Sequence, residues 1–133
     1  MANYYGQTRS NYFRVRSASA FRRFCRSYGL TVFNNTERGK QRCFGFLADE
    51  PIPTGRSNAK GDWIESDFLD ELAKHLVRGE VAVVMEVGSE KMRYLIGYAG
   101  AVNWQGKRIE VSLTEIYRRA KQTFGIEPTV AEY

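Results

Sequence analysis

Histidine, cysteine and proline are scarce in this chain, and each scarcity closes off a class of function. Its 133 residues include one histidine, two cysteines and three prolines. The histidine, His75, falls on the flank of an amphipathic segment four residues after Glu71. No motif sets a serine or cysteine nucleophile beside it, so it reads as a surface helix residue and not a general base. One histidine and two dispersed cysteines do not supply the clustered ligands of a zinc site. Cys25 and Cys43 lie in an apolar helix stripe and an apolar strand. They read as buried free thiols in a reducing cytosol. Neither a G-x-x-x-x-G-K-[ST] loop nor a dinucleotide fingerprint is present, so no cofactor is expected. No apolar run approaches the roughly 20 residues of a bilayer span, and the polar opening MANYYGQTRSNY lacks the core of a secretory signal. The expectation is a non-enzymatic, cytoplasmic protein of one domain over residues 1–133, irregular at 1–10 and 126–133.

Acids are scarce in the first third. Met1–Ala48 holds nine cations (Arg9, Arg14, Arg16, Arg22, Arg23, Arg26, Arg38, Lys40, Arg42) against the single acid Glu37, a balance of +8. The remainder carries eleven cations against fourteen acids, a balance of −3, which gives the overall +5. Such a split predicts a positive face for nucleic-acid phosphates or an acidic protein surface.

The hydrophobic spacing predicts an α+β chain. Asn11–Arg16 alternates like a half-exposed strand. Ser17–Tyr28 places Phe21, Phe24, Cys25 and Tyr28 on one helix face and stops at Gly29. Leu30–Asn34 and Arg42–Ala48 read as strands about a polar turn, and Asp49–Glu65 as a connector broken by Pro51, Pro53, Gly55 and Gly61. A helix over about Ser66–Arg78 follows, with acids first and cations last, matching the helix dipole, and an Asp70–Lys74 pair. Val81–Val87 reads as a central strand, then come strands Arg93–Val102 and Arg108–Leu113. A last helix, Glu115–Phe124, is capped by Thr114 and turns Ile116, Ala120 and Phe124 inward. The order β-α-β-β-α-β matches a ferredoxin-like sandwich, extended by two strands and a C-terminal helix covering part of the sheet.

Three groups are candidate binding residues. Arg22, Arg23 and Arg26 share the outer face of the first helix, while Arg14 and Arg16 share a strand face; without neighbouring acids these cations suit bidentate contacts to phosphate or carboxylate. Arg42-Cys43-Phe44-Gly45-Phe46-Leu47 resembles the RNP1 segment of RNA-recognition motifs. That likeness implies base stacking on Phe44 and Phe46, with Tyr12 as their partner on the first strand. The competing reading puts both phenylalanines in the core. Asp67, Asp70 and Glu71, at the start of the second helix, either complement its dipole or mimic phosphates toward a basic channel.

Asn3-Tyr4-Tyr5-Gly6, Asn11-Tyr12-Phe13-Arg14-Val15 and Val83–Tyr94 together resemble a family of small accessory proteins carried by bacterial plasmids, integrative elements and phages. The resemblance implies a genomic context in which such proteins often disarm host nucleic-acid defence, in the manner of anti-CRISPR and anti-restriction proteins, or serve the element's own DNA transfer. The expected partner is a host defence protein or ribonucleoprotein, with direct DNA or RNA binding, RNA-recognition-motif-like, as the alternative.

Overall fold

A computed structural model describes residues 4–35, 42–91 and 93–131. The chain is α+β. Its strands are β1 (Tyr4–Ser10), β2 (Thr31–Asn35), β3 (Cys43–Ala48), β4 (Gly55–Ser57), β5 (Trp63–Glu65), β6 (Val81–Glu90), β7 (Tyr94–Asn103) and β8 (Arg108–Ser112). The helices are α1 (Ala18–Ser27), α2 (Phe68–Ala73) and α3 (Glu115–Phe124). Six strands form one sheet in the order β2-β3-β1-β6-β7-β8, with every neighbouring pair antiparallel. β4 and β5 make a separate hairpin.

The first strand is not where alternation predicts it. β1 lies in Tyr4–Ser10, and its inward positions are Gly6, Thr8 and Ser10, which carry no hydrophobic signal. Asn11–Arg16 instead crosses between sheet and helices, making isolated bridges from Phe13 to Phe44 and from Val15 to Leu76. That crossing also shortens α2. The Lys74, His75 and Leu76 amides still bond back to Glu71, Leu72 and Ala73 O in a tightened last turn, but the Val77 amide then donates to Arg14 O and the Arg16 amide to His75 O, so the chain leaves the helical pattern for this segment. Lys74 pairs with Glu71, not Asp70.

Ser17 caps α1 by accepting from the Ala20 amide at 3.2 Å, and Gly29, at φ +71°, lets the Leu30 amide return to Cys25 O. The helix thereby lays Phe21 and Phe24 on the sheet face bearing Phe44, Phe46 and Val84. Phe68 on α2 closes the cluster, 5.5 Å from Phe24 and 5.6 Å from Phe46 between ring centroids. Gly100 on β7 leaves room for Leu69, whose methyl lies 2.8 Å from where a Cβ would stand.

The connector is pinned at several points. Glu86 on β6 accepts from the Ile52 amide and from the Tyr4 hydroxyl, both at 2.7 Å, while Thr8 donates to Glu50 O. Within it, Asn58 accepts from the Lys60 and Asp62 amides to form the tip of the β4–β5 hairpin.

α3 departs from expectation in its packing. Its span is as the sequence predicts, but it buries no residue, and Ile116 and Phe124 are exposed. The Thr114 hydroxyl pairs with Ser112 and does not cap the helix. The opposite sheet face is therefore uncovered. On β6, only Ala82 and Val84 are buried, while Met85 and Val87 face solvent.

Candidate functional site

The 3.6-residue period that buries Phe21, Phe24 and Cys25 leaves Arg22, Arg23 and Arg26 on the outside of α1. Arg42 enters the same surface at the start of β3. Its guanidinium lies 5.9 Å from the ring centroid of Phe44, and that of Arg22 lies 5.4 Å from the same centroid. One aromatic ring thus gathers two cations, each drawn to the negative face of its quadrupole. No acid occupies the first turn of α1, and none of these four arginines meets a carboxylate among the described residues.

The other predicted cations do not join this face. Arg14 lies 3.5 Å from the nearly buried Glu80 carboxylate, which also accepts from its backbone amide. Arg16 donates from Nε to Leu76 O at 2.9 Å and lines a cleft of about 500 Å³ with Asp67, Asp70 and Glu71. Arg38 and Lys40 lie outside the described residues. Arg9 stands on the opposite sheet face, 5.2 Å above Phe33. The single convergent patch predicted from the sequence is therefore smaller, consisting of Arg22, Arg23, Arg26 and Arg42.

Phe44 and Phe46 are 2% and 0% exposed, within the core. A base cannot stack on either, so the RNP1-like platform is corrected to a packing motif. Tyr12 does not face them. Its ring meets Phe33 edge-on at 5.4 Å, on the side of the sheet away from α1. Gly45, between the two phenylalanines, serves packing too, since a Cβ there would stand 2.8 Å from the Phe33 ring.

The acids are largely matched by the chain's own cations. Asp67 caps α2 and is held by both terminal nitrogens of Arg108. That contact keeps its carboxyl below the usual range. Glu71 pairs with Lys74 at 3.1 Å. Phosphate mimicry would require breaking both pairs, and Asp70 is the acid of this group that makes no ion pair among the described residues.

Catalytic groups fare no better. His75 is half-buried against Phe24, with ring centroids 4.6 Å apart, and burial pulls its pKa below that of free imidazole. Cys25 is buried and its thiol is pushed up to about 12, which leaves negligible thiolate at neutral pH. Among the described residues, no group of three or more His, Cys, Asp or Glu is arranged to hold a metal ion, and no helix is long and apolar enough to cross a membrane.

Two features escape the sequence reading. Trp63 is 62% exposed on the β4–β5 hairpin, beside a cleft of about 380 Å³ between the connector and the end of α1. Larger still is the open sheet face carrying Met85, Val87, Leu95, Ile109 and Val111. Its signal lay in β8, where Ile109 and Val111 alternate with Arg108, Glu110 and Ser112.

No protein-family model, curated protein or solved structure matches this chain.

Proposed function

We propose that this chain is a non-enzymatic, cytoplasmic docking protein of a mobile element, which inhibits a host nucleic-acid defence complex by binding it. Its contact is the α1 face. The observation that carries this reading is the group Arg22, Arg23, Arg26 and Arg42, exposed and without carboxylate partners among the described residues. Four like charges held on one face repel one another until an outside anion is supplied. Arginine suits that anion whether it is phosphate or carboxylate, because its planar fork binds either in bidentate fashion. The buried thiols and the histidine packed among aromatic rings support docking over catalysis. The defence complex itself comes from the resemblance to accessory proteins of mobile elements.

The scaffold under this face we read as a ferredoxin-like sandwich. The order β2-β3-β1-β6, with antiparallel neighbours and with α1 and α2 on one face, supports it. β7, β8 and α3 are then additions at one edge.

The test is phage plating on hosts armed with single nucleic-acid-targeting defence systems, with the chain or its Arg22→Glu, Arg26→Glu variant expressed. Plating that rises with the native chain and falls back with the variant supports the proposal. Equal plating with both overturns the role of this face, and unchanged plating in every host overturns inhibition. Fluorescence anisotropy with oligonucleotides separates direct nucleic-acid binding. Contact with four phosphates of a single strand gives a log-log salt slope of about −3.

A further inference from the structure

We infer that the chain forms a reciprocal homodimer in which α3 and the segment after it lie across the open β6–β7–β8 face of a second copy. Two apolar surfaces of one chain are left uncovered, and each has the shape the other needs. On the open face, Met85, Val87, Leu95, Ile109, Val111 and Leu113 are 56% to 75% exposed. The registers place the first five on one side of three adjacent strands, and Leu113, just past β8, lies over Gly97 on that side. Every described charged side chain of these strands other than those at their ends, Glu86 and Glu110, points to the opposite side. These six residues leave roughly 600 Å² of apolar surface in water, the upper end for one patch on a monomer.

The complementary surface is α3. Ile116, Ala120 and Phe124 recur every four residues along one stripe, and Ile116 and Phe124 are 62% and 72% exposed. A helix of ten residues is marginal in water by itself, so its stability calls for apolar packing that its own chain does not supply. The following segment belongs to the same arm. The Ala131 amide donates to the Tyr117 hydroxyl at 2.7 Å, keeping exposed Ile126 and Val130 alongside the helix. The arm adds roughly 500 Å², so one chain brings roughly 1,100 Å² to a contact, above the ~800 Å² per partner of a standard interface.

A second copy is the occupant that satisfies both surfaces together. Each chain owns one arm and one face, so a two-fold axis covers two arms and two faces with no surface left over. The short Leu113-Thr114 link to β8 sets the arm beside that face, with Leu113 seated over Gly97 at its border.

Sedimentation velocity from low to high micromolar concentration tests this. The full chain is expected at twice its 15.3 kDa mass. Ile116→Asp with Phe124→Asp, and separately Val87→Asp with Val111→Asp, are each expected to weaken association by roughly 30-fold or more, as loss of central contacts does. All four positions are exposed, so cooperative unfolding of the sheet and α1 should match the native chain, with any far-ultraviolet change limited to the ten residues of α3. Mixing the two variants is expected to restore a dimer, because one intact arm meets one intact face. A native chain that stays at 15.3 kDa throughout, or an arm variant that associates as tightly as the native chain, overturns the inference.

Discussion

The Arg108 guanidinium on β8 spans both carboxylate oxygens of Asp67, the residue that caps α2. It ties the outermost strand of the sheet to the start of a helix on its covered face. Because Arg108 holds the Asp67 carboxyl low, this contribution is complete above the unfolded carboxyl pKa and is lost as pH falls through the folded value. Asp67→Asn keeps a cap acceptor but removes the charge. Urea titrations should show it about 0.5–1 kcal/mol less stable at neutral pH, the range for a partly exposed pair, and equal to the native chain in strong acid.

His75 provides a cleaner titration, because it is the one histidine in the chain. Burial against Phe24 and Phe21 disfavours its charged form, so the unfolded chain takes up the proton first as pH falls. Stability should therefore decline below about pH 6.5, toward the depressed folded pKa, and His75→Gln should flatten that decline. Proton NMR of the imidazole gives the folded pKa directly, and a value at or above that of a free histidine would contradict the packing described.

Glu86 holds Tyr4 and the connector together. Burial, then the Glu86 hydrogen bond, raise the Tyr4 phenol to about 12. The folded chain keeps this proton longer than the unfolded chain, so stability is lost as pH rises from about 10 toward 12. Tyr4→Phe should reduce that alkaline loss. Glu86→Ala leaves the Ile52 amide without its acceptor, at a cost of about 1–3 kcal/mol. Limited proteolysis of that variant should cut first between Asp49 and Asp62.

Gly45→Ala tests the packing reading of the phenylalanine motif. The new methyl would meet the Phe33 ring at 2.8 Å and Asn11 O at 2.9 Å. Overpacking of this kind costs about 1–3 kcal/mol, and denaturant titration should register it.

Local period made α1, β3, β8 and the span of α3 legible, because their apolar residues recur at intervals that only one regular structure satisfies. β1 was hidden because Gly6, Thr8 and Ser10 turn inward where a strand usually shows valine or isoleucine. The alternation of Phe13 and Val15 was real burial pressure in a segment that joins no ladder. On the candidate site, the outer face of α1 was readable from period alone. The fate of Arg14, Arg16 and Asp67 was not, because their partners Glu80, Leu76 and Arg108 lie 66, 60 and 41 residues away in the chain. Nor could period say whether an apolar stripe finds a surface, and for α3 its own chain provides none.

The register of β1 against β6 pairs Tyr4 with Glu90 and Gly6 with Gly88. During synthesis, the central strand of the sheet is thus made before the strand that completes one of its two sides. It must wait on the ribosome surface until the intervening chain has emerged. β6, β7 and β8, each beside its predecessor, can zip up in order of appearance once they are released. A stall placed between Val81 and Glu90 would therefore leave α1, β2 and β3 exposed together, which makes that window the point at which a chaperone has most to hold.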